Sequence, residues 1–212
     1  MKFQHAVRAI VIGSMVMTLG AGSAFADQKA ATPPKGAPPK MDAAGEAAMM
    51  AEMMKQAAPG PEHKVLEAMV GNWKTSSKAW MGPGDPQITE GSADYEMILG
   101  GRFVVSRFHG SMMGMPFEGY GVTGYDRMTK TYEGYWMDTM GTMIYPMSKG
   151  TWDEATKSMT FNVDWPDAMT GGRANYSLVT KHSGNDNMVF TMSMIHEGKP
   201  MPMMEVTYSR VK

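Results

Sequence analysis

The stretch from Phe117 to Met143, FEGYGVTGYDRMTKTYEGYWMDTMGTM, limits what this chain can fold into more than any other. Along its first arm Glu118, Tyr120, Val122 and Gly124 alternate with Phe117, Gly119, Gly121, Thr123 and Tyr125, the period of two that a strand shows between two environments. Asp126 to Lys130 is a polar connection. The returning arm, Thr131 to Asp138, alternates again, with Tyr132, Gly134, Trp136 and Asp138 on one face and Glu133, Tyr135 and Met137 on the other. A hairpin of this kind is one repeat of a meander.

The same alternation recurs at Trp73 to Trp80, Ile88 to Leu99, Arg102 to Ser111, Thr142 to Trp152, Ser158 to Trp165, Arg173 to Thr180, Asn187 to His196 and Met201 to Arg210. With the hairpin these make about ten strands, joined by turn signals such as Gly100-Gly101, Gly171-Gly172 and Ser183 to Asp186. Ten antiparallel strands with hairpin-length links form a sandwich or an up-and-down barrel. The barrel is favoured because closure abolishes edges, and few of these strands carry a proline or a run of charge to protect one. The hairpin also carries a family resemblance. Gly124-Tyr125-Asp126, then Tyr132, then Gly134-x-Trp136-x-Asp138-x-Met140 resembles the motif of the uncharacterised bacterial family catalogued as domain of unknown function 1579. The resemblance runs from about residue 61 to the C-terminus and implies a fold but no catalytic residues. Gly71-Asn72-Trp73, at the end of a short helical segment, is similar to the opening of lipocalins. That likeness implies a tryptophan across the barrel floor and a late basic residue, Arg210, over it. The expected fold is thus all-β, an antiparallel lipocalin-like barrel preceded by short helices.

Ahead of the barrel the chain changes character. Lys2 and Arg8, the apolar run Ala9 to Leu19 and Ala24-Phe25-Ala26 have the form of a secretory signal over residues 1–26. Its apolar run is too short for a membrane span. The expected location is periplasmic or secreted. No cysteine follows, which leaves neither a lipid anchor nor a disulfide. Residues 27–40 read as a Pro/Ala/Lys tether, residues 41–58 as a Met-rich helix and residues 61–212 as the barrel. Loss of the signal removes Lys2 and Arg8 but no acid, so the formal charge falls from −1 to −3. That balance argues against a nucleic-acid or anionic-membrane surface.

Candidate chemistry follows from the strand faces. Lys74, Ser76 and Lys78 mark an outward face, which turns Trp73, Thr75, Ser77 and Ala79 inward. Small inward side chains, and Gly119 with Gly121 on one face, suggest room for a small ligand. The candidate ligand-binding residues are Trp73, Arg107, His109, Tyr120, Trp136, Asp138 and His196. The competing reading of the glycines is relief of strand curvature, and that of the rim polar groups is simple solvation. Signatures of catalysis are lacking. There is no cysteine, no G-x-S-x-G elbow, no H-E-x-x-H, and His63, His109, His182 and His196 stand apart. A haem reading with His109 or His196 as axial ligand has no motif behind it.

Methionine supplies the second reading. The chain has 27, and beyond residue 26 only three leucines, Leu66, Leu99 and Leu178. Thioethers favour Cu(I), and Met49, Met50, Met53 and Met54 form a stripe on one helix face, with further clusters at Met112-Met113-x-Met115 and Met201-x-Met203-Met204. Against this, methionine in strands is a flexible filler standing where leucine is expected. The sequence thus supports non-catalytic binding of a small, largely apolar molecule, with copper binding as the alternative.

Overall fold

The computed structural model of the protein describes residues 41–82, 84–167 and 170–212. The expected signal and tether, residues 1–40, lie outside them. Helix α1 spans Ala43–Ala57 and α2 spans His63–Glu67. The strands are β1 Gly71–Ala79, β2 Gln87–Ile98, β3 Phe103–Met112, β4 Met115–Asp126, β5 Thr131–Asp138, β6 Tyr145–Asp153, β7 Ser158–Pro166, β8 Arg173–His182, β9 Asn187–His196 and β10 Lys199–Arg210. Each pairs antiparallel with its neighbours in sequence, and β1 pairs with β10 from Trp73↔Arg210 to Ala79↔Met204, closing the barrel. Every described strand has a neighbour on both sides, though β6 and β7 pair only from Thr151↔Thr160 to Asp153↔Ser158. The expected strand at Thr142 to Trp152 starts later, at Tyr145, because residues 139–144 form the link after β5.

Register fixes which faces look inward. From buried Trp73 and Thr75 the inward face passes to Ala93, Phe108 and Gly119, and from Gly121 to Trp136. Around the other side it passes through Tyr208, Met188, Leu178 and Phe161. These residues, with Val163, Trp165, Tyr176 and Val206, make one core.

Helix α2 closes the end where the chain enters and leaves the barrel. Leu66 is fully buried, and Met69 joins it in the core. Trp73 Nε1 donates to Met69 O at 2.9 Å, which ties the first strand to the turn after the helix. The Tyr132 hydroxyl donates to Glu62 O at 2.9 Å, and Tyr125 lies edge-on to both His63 and Tyr132. Arg210 lies 4.1 Å from the centre of the Trp73 ring. Its guanidinium donates to Ala68 O at 2.9 Å, Asn185 O at 2.8 Å and Val70 O, so one cation satisfies carbonyls from the helix end and from the link between β8 and β9. Beside this floor Tyr95 and Tyr208 meet edge to face, and burial pushes the Tyr95 hydroxyl up to about 12. Helix α1 buries no residue, and Arg127, in the turn after β4, reaches Lys55 O at 2.9 Å and Ala58 O at 3.2 Å.

Two predictions follow from this floor. Replacement of Arg210 by Met keeps bulk over Trp73 but leaves three carbonyls short of a donor, and urea unfolding should show a loss of about 2–3 kcal/mol. R210K, a point charge without the planar fork, should recover less than half of it. The second concerns His182, an inward residue 5.3 Å from the Trp152 ring, whose Nε2 is buried without a hydrogen-bond partner among the described residues. Desolvation, with the Arg210 charge adding to it, holds its pKa below 6.5. A depressed histidine contributes stability above its unfolded pKa, which is lost as pH falls from about 6.5 through the folded value. The midpoint of urea unfolding should therefore drop between pH 7 and pH 5 by more in the wild type than in H182F.

Candidate functional site

The structure separates the seven ligand-binding candidates into three places. Trp73 forms part of the floor; it is 1% exposed, and its one polar atom is already bonded to Met69 O. Trp136, Asp138 and His196 follow the inward parity toward the opposite end, where Asp138 and His196 stand at the rim. Arg107, His109 and Tyr120 occupy the outer face of β3 and β4. Their parity is that of Val105 and Glu118, opposite to the inward Phe108 and Gly119. The expectation that Tyr120 forms a wall of the lumen is corrected accordingly. Alternation divides a strand into two faces without saying which is inside, and here Val104 and Val105 are both buried, so apolar character does not mark the difference.

The room expected over Gly119 and Gly121 is taken. A Cβ on Gly119 would stand 2.1 Å from the Trp136 ring, and one on Gly121 would stand 3.0 Å from it. The glycines admit the indole rather than a ligand. Asp138 holds that indole in place: its Oδ2 accepts from Trp136 Nε1 at 2.9 Å, and its Oδ1 accepts from the Met140 backbone at 2.9 Å. Both carboxylate oxygens are thereby engaged in orienting Trp136 and the link after β5.

The three outward residues gather with Asp138 along an open cleft of about 430 Å³ between β3, β4 and residues 137–144. Arg107 donates to Asp94 Oδ2 at 2.8 Å and lies 3.4 Å from Glu96 Oε2, on the partly exposed outer face. Its hydrogen bond to Asp94 is the main reason its pKa is raised, so the cation is compensated on its own strand pair. Its guanidinium carbon also lies 6.0 Å from the Tyr120 ring centre. A second cleft, about 420 Å³, lies beside α2 against Val65, Tyr125, Tyr132 and Trp152. There Glu62 Oε2 is buried without a hydrogen-bond partner among the described residues.

At the end away from α2, the inward face is apolar and only partly buried. Phe108, Tyr145, Met192, Met194 and Met204 pack on the core while keeping some surface exposed, Trp136 shares their face and is itself only partly buried, and among the described residues α2 lies at the other end. Sequence reasoning missed Phe108 and Tyr145 as lining residues. The signal was present, since both share the face of Trp73 once the register of each hairpin is followed around the barrel. Four methionines of α1, Met49, Met50, Met53 and Met54, are 47–64% exposed. Among the described residues no group of three or more His, Cys, Asp or Glu could hold a metal ion, and no helix is long and apolar enough to cross a membrane.

Several solved structures resemble the chain in fold. The crystal structure of Rv2717c from M. tuberculosis is 13% identical, with a TM-score of 0.52, over 73% of this chain and all of that one. At that identity the likeness shows the fold alone. An S-type phycobiliprotein lyase, CPES from Guillardia theta, is 11% identical over 76% of this chain and 97% of that one, with a TM-score of 0.49. The structure of EF1p2_mFAP2b bound to DFHBI is 9% identical over 70% of this chain and 98% of that one, with a TM-score of 0.37. No curated protein matches the chain. Residues 58–210 match the family described as "Protein of unknown function (DUF1579)", and the chain belongs to that family.

Proposed function

We propose that this is an exported, non-catalytic binding protein that takes one small, largely apolar molecule at the open mouth of its barrel. The observation that carries the reading is the asymmetry of the two ends. One end is plugged by α2, Leu66 and the Trp73–Arg210 stack. The other presents Phe108, Trp136, Tyr145, Met192, Met194 and Met204 inward with part of their surface exposed. A concave apolar surface with a few polar groups at its rim is the usual makeup of a small-molecule site. Asp138 and His196 supply those groups.

Trp136 narrows the lumen, so the ligand seats above it rather than deep inside. The methionine walls suit that task, because an unbranched thioether side chain re-packs around different shapes at low cost. The signal read over residues 1–26 would deliver the protein to the compartment where its ligand occurs. A mature chain beginning at Asp27 in the exported fraction is the corresponding observation, and a cytoplasmic chain retaining Met1 would contradict it.

Ala79 tests the mouth. It faces inward beside Met204 and is partly exposed, so a charge there can be hydrated without the fold being lost. An environment-sensitive apolar fluorophore should bind the wild type saturably, one per chain, with a Kd of about 10 μM or tighter. A79E should weaken it roughly tenfold or more by placing a carboxylate against the apolar wall. Undiminished binding by A79E, or no saturable binding by the wild type, would overturn the assignment.

A further inference from the structure

We infer that the mouth also holds a soft-metal site, in which Met192, Met194, Met201 and Met204 bind one Cu(I) through their thioethers. The inference goes beyond small-molecule binding and does not depend on it. It starts from an irregularity in the ladder between β9 and β10. Met201 pairs with Met194 and Pro202 with Ser193, after which the register shifts and Met204, not Met203, pairs with Met192. Under strict alternation Met201 and Met204 would lie on opposite faces of β10. The extra residue places both on the inward face, directly across from two further methionines.

Directly opposed residues have Cβ atoms about 5 Å apart, and successive same-face residues on a strand stand about 7 Å apart. The four Cβ atoms therefore mark the corners of a rectangle on that scale, and each sulfur lies two bonds beyond its Cβ, on a chain with three rotatable bonds. All four sulfurs can turn toward a common centre. Met192, Met194 and Met204 pack on the core, which limits their wandering, while Met201 at the rim is 47% exposed and gives a route of entry. Thioether sulfur is a soft, neutral donor, which selects Cu(I) over Zn(II), Mg(II) or Ca(II). Thioethers do not protonate in the physiological range, so the site keeps its ligands at acid pH, where a histidine site loses them. His196, on the same face at the turn, is exposed and is not required.

The test uses the mature chain and Cu(I) itself, supplied anaerobically with a reductant and a competing Cu(I) chelator. Native mass spectrometry should show one copper per chain, X-ray absorption a shell of sulfur neighbours, and competition nearly equal affinity at pH 7 and pH 5. Conversion of Met192, Met194, Met201 and Met204 to Leu preserves volume and should abolish uptake. M201L alone, at the exposed rim, should weaken it roughly tenfold without disturbing the core. Conversion of Met49, Met50, Met53 and Met54 to Leu should leave it unchanged. Undiminished affinity in M201L, loss of copper only in the α1 variant, a shell of nitrogen and oxygen, or no uptake by the wild type would each overturn the assignment. A79E retains all four thioethers, so loss of fluorophore binding with copper uptake intact keeps the two sites distinguishable.

Discussion

Everything in this molecule depends on the pairing of β1 with β10. The first and last strands of the barrel join over the length of β1, from Trp73↔Arg210 to Ala79↔Met204. Without that ladder the remaining strands would be a curled sheet with two open edges, each a template for pairing with another chain. Closure is also the most expensive contact in chain entropy, since it joins residues separated by the whole domain. It is reinforced where the two strands meet the floor: Arg210 covers Trp73 and reaches backward to Ala68 and Val70, while the Val211 backbone N–H bonds Asn72 O at 2.8 Å. The short helix, the first strand and the last strand are thus held at one point, at one end of the barrel.

The family motif belongs to this scaffolding rather than to a reaction centre. Asp126 Oδ1 accepts from the backbone of Met128 at 2.7 Å, which forms the turn between β4 and β5 and, more than any other contact, lowers that carboxyl's pKa. Tyr125 and Tyr132 meet edge-on across the two strands with ring centres 5.0 Å apart, and Tyr132 holds the segment leading into α2 through Glu62 O. A Cβ on Gly134 would stand 2.3 Å from the Val122 carbonyl. Trp136 lies over Gly119 and Gly121 and is pinned by Asp138. These positions have mechanical duties, so the motif reports first how the barrel is built.

The same separation explains what could be read from the sequence. Strand count, closure and the packing of Trp73 under Arg210 were legible because alternation, turn chemistry and the lipocalin likeness all pointed the same way. The inward face of β3 and β4 was not. Period two gives two faces, and on β3 one carries Val104, Phe108 and Ser106 while the other carries Val105, Arg107 and His109, so neither is plainly the apolar one. Only the register across β1, β2 and β3 decides. Glycine is ambiguous for a related reason: Gly119 and Gly121 suggest either ligand room or relief of strand curvature, whereas the ring that occupies the space comes from the next strand and is invisible until the strands are paired. The shift between Pro202 and Met204 had no glycine to announce it.

Methionine is where scaffold and function become hard to separate, and burial helps to do so. A filler is expected in the interior, and Met188 at 1% and Met159 at 4% exposure, both in the core, need no other account. Leucine would do nearly as well there. Met201 is different: at 47% exposure it fills no gap, and an apolar residue at an open rim gains little from burial. The shift in β10 departs from regular pairing, yet it brings Met201 and Met204 to the same face, opposite Met194 and Met192. Tight packing asks only for volume, whereas four opposed sulfurs at a mouth ask for register. The register is what the irregular strand supplies, and it converts a side chain used elsewhere as filler into a candidate donor set.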